Sequence, residues 1–307
     1  MSQAQGIGTL AVPTASPVAF TGKSRWRQFL RQLVRSPKGL TGAILVGLAI
    51  FAAITASVVS PHDPTEQAVR GKFAKPALLG YESDYLLGGD NLGRDIFSRI
   101  LYGSRASLAI GFLVTALAAV VGSILGGIAG FRGGLIDTAV MRLVDLQLSI
   151  PFILLALIFL AILGPGFWSV FVALAVALWV NYARLVRGET LTVREMEYVV
   201  AAETIGVSKT RTLLVHILPN VLPSILVLAT LDMAFVIIFE SSLTFLGLGI
   251  QPPTPTWGYM LSEGRNYLRE SPWLSLFPGS AIILTVVGIN VLGDWLRDTL
   301  DPSLRGR

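Results

Sequence analysis

Long apolar runs alternate along this chain with shorter segments that carry its charge. A bilayer core about 30 Å thick takes about 20 apolar residues in helical form, so uncharged runs of that length mark membrane spans. Gly39 to Ser60 and Ala106 to Phe131 are uncharged, and each predicts one span. Leu146 to Ala183 is also uncharged but too long for one helix. Gly164-Pro165-Gly166 near its middle supplies a turn, so this stretch predicts a helical hairpin. Val221 to Phe239 is apolar except for Asp232, and Leu274 to Gly293 is uncharged. The pattern therefore predicts an all-α polytopic membrane protein with six transmembrane helices.

The flanks divide the remainder. Residues 1–22 are rich in Gly, Pro, Ser and Thr and lack an early basic region, which predicts a mobile tail and not a cleaved signal peptide. In residues 23–38, Trp26, Phe29, Leu30, Leu33 and Val34 recur at helical spacing, with Arg27, Arg31 and Arg35 between them. That spacing predicts an amphipathic helix lying in the membrane interface, the alternative being a plain basic flank before the first span. Residues 39–105 then hold the first span and a long outer loop, and 106–293 a five-helix core with a cytoplasmic loop at 184–214. Residues 294–307 form a cytoplasmic tail. Gly122, Gly126 and Gly130 repeat at four-residue spacing, a stripe on which another helix backbone can approach closely.

Composition agrees with the spans. Hydrophobic residues make up 53% of the 307 and charged residues only 14%, against about 25% in soluble domains. The mean hydropathy of +0.67 excludes a disordered chain and argues against a soluble enzyme. No cysteine is present, which removes disulfides, thiolate metal sites and cysteine nucleophiles together. The two histidines, His62 and His216, form no HExxH pair. A net charge of +5 raises the question of a nucleic-acid partner, but most of the 24 Lys and Arg fall in segments on one side of the predicted spans. Positive residues stay cytoplasmic, so both termini are expected inside and the charge is a matter of topology, with no nucleic acid as partner.

Two fragments imitate nucleotide motifs and fail. Gly22-Lys23-Ser24 resembles the end of a phosphate loop, yet Pro17 stands where its first glycine belongs. Gly247-Leu248-Gly249 opens like a dinucleotide fingerprint, but Pro252 takes the third glycine position and no strand precedes it. No catalytic arrangement emerges, although a dispersed Ser-His-Asp set stays open from sequence alone.

The segment from Arg184 to Leu214 is much longer than a connection between adjacent membrane helices requires. Within it, Glu195 to Ile205 predicts a helix and Gly206 a left-handed turn. A second helix, with Ser208 as N-cap, is expected to end near Pro219. Ala201-Ala202-Glu203-Thr204-Ile205-Gly206, nine residues, then His216-Ile217-Leu218-Pro219 resembles the EAA loop of ATP-binding-cassette importer permeases. Val200 replaces the family's first glutamate and His216 its isoleucine, which removes any salt bridge resting on that glutamate. Further stretches are similar to the dipeptide, oligopeptide and nickel permease group: Leu87 to Leu108, Arg184 to Gly188, Ser242 to Pro253 and Leu292 to Pro302. Read singly, Arg94 and Asp95 neutralise each other at a surface and Pro252-Pro253 is a stiff loop.

The resemblance implies a type I importer permease fold and a complex with a second homologous permease chain, two cytoplasmic ATPases and an extracytoplasmic solute-binding protein, set in the lipid of a bacterial inner membrane. It implies no catalysis and no cofactor or metal on this chain, with ATP and Mg in the partner ATPases. Ala201, Ala202, Glu203, Gly206, His216, Leu218 and Pro219 would dock the ATPase. The cargo it implies is peptides, with nickel chelates, glutathione or opines as alternatives. Asp232 is the most unusual residue, because an ionisable group inside a span is costly unless it meets water or a partner. Glu240 lies about 80° further round the same helix, so the two share a broad face and become candidates to line the pathway. The alternatives are a structural hydrogen bond for Asp232 and an interfacial position for Glu240. A self-sufficient secondary transporter is the rival from another class, and one carboxylate within the spans gives it little support.

Overall fold

The computed structural model describes residues 22–300. The predicted tail lies outside the described residues apart from Gly22, as do Asp301 and Pro302 of the C-terminal resemblance. Helix α1 spans Gly22–Arg35 and α2 spans Pro37–Val59. The predicted amphipathic helix thus stops before Ser36, because a residue preceding proline is pushed to extended backbone. Ser36 has ψ 120°, and its hydroxyl caps the next helix by accepting from the Gly39 N–H at 3.2 Å.

Helix α3, Ile96–Arg132, starts well before the apolar run that signals it. Asp95 caps it, accepting from the N–H groups of Phe97 and Ser98 at 3.3 and 3.0 Å. Two arginines in its first turns are accommodated by partners. Arg99 is buried in an ion-pair cluster, and Arg105 donates to the Ala53 carbonyl of α2 at 2.6 Å.

The predicted hairpin needs correction in its first arm. Helices α4 (Gly134–Leu148) and α5 (Phe152–Leu163) meet at 88°. At about 1.5 Å per residue α5 is about 18 Å long, short of the bilayer core of about 30 Å. Pro151 sits at the break, where it cannot continue the preceding helix. The turn at Gly164 to Gly166 is present, with φ of 76° and 148° at its two glycines. Helix α6, Phe167–Val193, then runs past Ala183 and absorbs the first part of the predicted loop. Its charges are matched by α4: Arg184 pairs with Asp145 and Arg187 with Asp137, each at 2.7 Å.

Helix α7 covers Glu197–Thr204 and α8 covers Lys209–Arg211, followed by a π-helical stretch at Thr212–Ile217 and by α9, Leu218–Phe245. Helices α10 (Trp257–Gly264) and α11 (Trp273–Leu300) complete the chain. Residues 294–300, expected in the tail, continue α11. Trp295 is buried there, in edge contact with Phe29 at 4.9 Å. Helices α2, α3, α6, α11 and the continuous run Lys209–Phe245 are each long and apolar enough to cross a bilayer, and the bent α4–α5 pair makes a sixth crossing if counted as one.

The core forms where α3 lies against α6. A Cβ on Gly130 would stand 2.8 Å from the Arg187 carbonyl, and one on Gly122 or Gly126 would strike the carbonyls of Trp179 and Ala183. Backbone therefore touches backbone along the glycine stripe, as its spacing predicts. In lipid, where apolar side chains gain nothing by leaving water, such close van der Waals packing is what holds helices together. Ile110, Val114 and Ala118 of α3 meet Leu174, Leu178 and Val186 of α6 in this layer. Gly42 of α2 and Gly288 of α11 make a second close crossing.

Candidate coupling elbow and translocation cavity

At the end of α6, Arg194 donates to the Gly130 carbonyl at 3.0 Å and ties the chain to α3 before α7 turns away. Helix α7 ends in a Schellman motif. The Val207 N–H donates to the Ala202 carbonyl at 3.1 Å and the Gly206 N–H to that of Glu203 at 3.0 Å, with Gly206 at φ 87°. This is the left-handed turn the sequence predicts. Ser208 occupies the N-cap position of α8, but its side chain makes no capping bond.

The second helix of the elbow does not end near Pro219. It continues through the π-helical stretch into α9, forming one helix from Lys209 to Phe245. Proline lacks an N–H and breaks the i→i+4 ladder, but the ladder is already widened here. The Leu218 N–H donates to the Leu213 carbonyl, and the Asn220 side chain takes up the His216 carbonyl at 2.6 Å. Pro219 consequently sits in the first turn of α9.

Of the predicted docking residues, Ala201, Glu203, Gly206 and Pro219 are exposed, His216 and Leu218 half-buried, and Ala202 is buried. Val199 and Ala202 are the buried residues of α7. Val200 and Ile205 are exposed, Ile205 to 82%, and with Ala201 and Thr204 they line a shallow apolar groove whose other wall carries Glu195 and Glu197.

Above the elbow, α6, α9 and α11 enclose a cavity of about 870 Å³. Its polar lining comes from Asn181, Arg184 and Glu189 of α6, Asn220 and Ser224 of α9, and Arg297 of α11. The Ser224 hydroxyl donates to Glu189 at 3.1 Å. Sequence reading missed this set, since its members are spread over three helices far apart in the chain and only folding brings them together. Asn181 and Ser224, polar residues in apolar stretches, were the visible signals.

Asp232 is buried on α9, beside the cavity-lining Leu231. The Tyr182 hydroxyl of α6 is the polar group facing it, although neither that oxygen nor Asp232 Oδ2 has a well-aligned hydrogen bond. Glu240 is fully enclosed within the chain, accepting from Thr244 at 2.9 Å and Ser241 at 3.4 Å. Both carboxylates are on α9, and neither belongs to the cavity lining.

At the opposite end, Arg94 and Asp95 do not simply neutralise each other. Asp95 caps α3 and accepts from the Ser98 hydroxyl at 2.5 Å. Arg94 pairs with Asp90 and with Glu263 of α10, each at 2.6 Å. Arg99 pairs with Glu263 at 2.8 Å and also with Asp90. Burial works against the Arg94 charge, yet the Asp90 and Glu263 carboxylates hold its guanidinium above the usual arginine range. Asp90 also accepts from the N–H groups of Leu92 and Arg94 at 2.8 and 2.9 Å. Trp257 and Trp273 donate to the carbonyls of Ile100 and Gly89, fastening α3 to α10 and the loop before α3 to α11.

Comparison with known proteins bears on this architecture. Residues 122–306 match the family described as binding-protein-dependent transport system inner membrane component, and residues 24–76 match the N-terminal transmembrane domain of oligopeptide transport permease C. The chain is 40% identical to a dipeptide transport system permease protein of Alkalihalophilus pseudofirmus, over 93% of this chain and 92% of that one. It is 39% identical to a probable D,D-dipeptide transport system permease protein of Escherichia coli, over 89% and 90%. A glutathione transport system permease protein of Pectobacterium atrosepticum is 40% identical over 97% of each chain. In structure, the fold is similar to a chain of the inward-facing MetNI methionine ABC transporter, with TM-score 0.53 and 19% identity over 66% of this chain and 96% of that one. With its apolar spans and glycine-packed core, the chain belongs to the binding-protein-dependent transport system inner membrane components, as a permease with the type I ABC importer fold.

Proposed function

We propose that this chain forms half of the translocation pathway of an ATP-driven importer for di- or oligopeptides, pairing with a second permease chain and receiving cargo from an extracytoplasmic binding protein. The relatives named for dipeptide transport support the cargo. ATP and Mg are bound and ATP is hydrolysed by two cytoplasmic partner ATPases, with both termini of this chain on the same side as those partners. The observation that carries the coupling is the elbow: a capped short helix, a left-handed turn at Gly206, and an exposed apolar Ile205 at the turn. Such a knob suits a groove on a partner. Because Lys209–Phe245 is one helix, a displacement of the knob is delivered to the wall of the 870 Å³ cavity and to Asp232 without an intervening loop. Ala201, Ala202, Glu203, Gly206, His216, Leu218 and Pro219 shape the docking elbow, and Asp232 serves the pathway.

Ile205→Asp in the reconstituted full complex tests the reading. The side chain is exposed in the isolated chain, so folding is spared, while a carboxylate in an apolar docking groove is costly. ATP-driven peptide uptake should fall about tenfold or more, a loss of about 1.4 kcal/mol in coupling. Uptake at the unsubstituted rate would refute docking through this turn.

A further inference from the structure

Beside the elbow, the structure encloses a second cavity of about 270 Å³. Its walls are Ile124, Ile128 and Phe131 of α3 and Leu213, Leu214 and Leu218 of the segment that joins the elbow to α9. Arg132 and Lys209 stand at its rim, and no carboxylate belongs to its lining. Neither cation forms an ion pair among the described residues. The Ser123 hydroxyl, which also lines the cavity, is buried without a hydrogen-bond partner.

We propose that this cavity is a binding site for one anionic phospholipid of the leaflet on the elbow's side of the membrane, with its phosphate between Arg132 and Lys209 and an acyl chain in the apolar groove. Three observations converge on that occupant. The cations lie at helix ends, where the polar headgroup layer begins. The walls are aliphatic and aromatic. Ile124 of the lining and Val120, one turn further along α3, are exposed apolar residues and lie about 12 and 18 Å along the helix from Arg132 at about 1.5 Å per residue. That is the depth of one leaflet, about 15 Å. A protein partner would have to bring a carboxylate or phosphate on an extended apolar stem, which describes a lipid better than a side chain. Unlike a lipid in the general annulus, this one bridges α3 to the π-helical stretch and so braces the segment through which the elbow joins α9.

Gly127 provides a clean test. A Cβ there would meet Leu213 and Val186 at 3.8 Å, ordinary contact, so the position admits a side chain, and Gly127→Leu adds its bulk to the lining of this cavity. The full-length chain is placed in nanodiscs and probed by electron paramagnetic resonance with spin-labelled phosphatidylglycerol or phosphatidylcholine. The proposal expects a motionally restricted phosphatidylglycerol fraction exceeding that of phosphatidylcholine. Arg132→Gln and Lys209→Gln should each weaken the preference by about fivefold. Gly127→Leu should abolish it with helical content unchanged. Equal restriction of the two lipids, or a preference that survives either Gly127→Leu or the double charge removal, overturns the site. So does an Ile128→Cys variant that cross-links to a second permease chain in the assembled complex, since that assigns the groove to protein.

Discussion

The two ends of this molecule are built on opposite plans. At the end that carries the α2–α3 loop, two arginines and Asp90 are buried against the half-buried Glu263, two tryptophans donate to backbone carbonyls, and segments distant in sequence are locked to one another. At the elbow, α7 buries only Val199 and Ala202, and leaves Val200 and Ile205 exposed. One end pairs its buried charges within the chain, while Val69, Leu78 and Leu79 of its loop stay exposed. The other leaves apolar surface free, which is the condition of a surface completed by another subunit. Buried ion pairs lock the first end, and among the described residues the elbow has no such cluster.

Substitutions that invert this contrast test it. Arg99→Ala should be the most damaging, because it leaves Asp90 and Glu263 with one guanidinium between them in a buried site. A loss of about 3–5 kcal/mol is expected, read as a fall in thermal midpoint and as new protease cleavage between residues 60 and 95. A midpoint within a degree of the parent would mean that this end is held by its tryptophans and not by its charges. At the elbow, Gly206→Ala forces a side chain into φ 87° and should cost about 1–2 kcal/mol locally. Hydrogen exchange should quicken in α7 alone while global unfolding stays in place. Loss of the whole fold would show that the elbow is integral to the body. The smallest effect belongs to Asp63, an exposed carboxylate in the α2–α3 loop held below its ordinary 3.8 by bonds from the Thr65 hydroxyl and N–H. A depressed carboxyl value means that this local stabilisation is complete above the ordinary value and fades as pH falls through the lowered one. Asp63→Asn should therefore shift the thermal midpoint by a small amount that is the same throughout about pH 5 to 8, where the parent carboxylate is fully ionised. A pH-dependent difference in that window would assign Asp63 another partner.

The sequence exposed what depends on local pattern. Apolar runs located the helices that cross the bilayer, the four-residue glycine spacing announced the α3–α6 contact, and Gly206 forecast a left-handed turn. Boundaries misled wherever a charge was neutralised by a distant residue. Helix α6 runs beyond Ala183 because Asp137 and Asp145 of α4 meet its arginines, and α3 begins at Ile96 because Glu263 and Asp90 accept Arg99. No periodicity encodes such pairings. The α4–α5 bend did leave a mark, since Pro151 interrupts an otherwise continuous apolar run, but the hydropathy signal overrode it. Pro219 misled in the other direction: a residue that usually stops a helix is carried by a π-helical stretch. For the pathway, lone carboxylates drew attention to Asp232 and Glu240, while the cavity is lined by polar residues scattered over three helices.

The cluster around Glu263 contains as many positive as negative charges, so its monopole vanishes and its field dies away within a few ångströms. Added salt, which weakens exposed pairs such as Arg184 with Asp145, has little purchase on it. A charged molecule arriving at this end would be neither drawn in nor repelled by the net charge of these four residues.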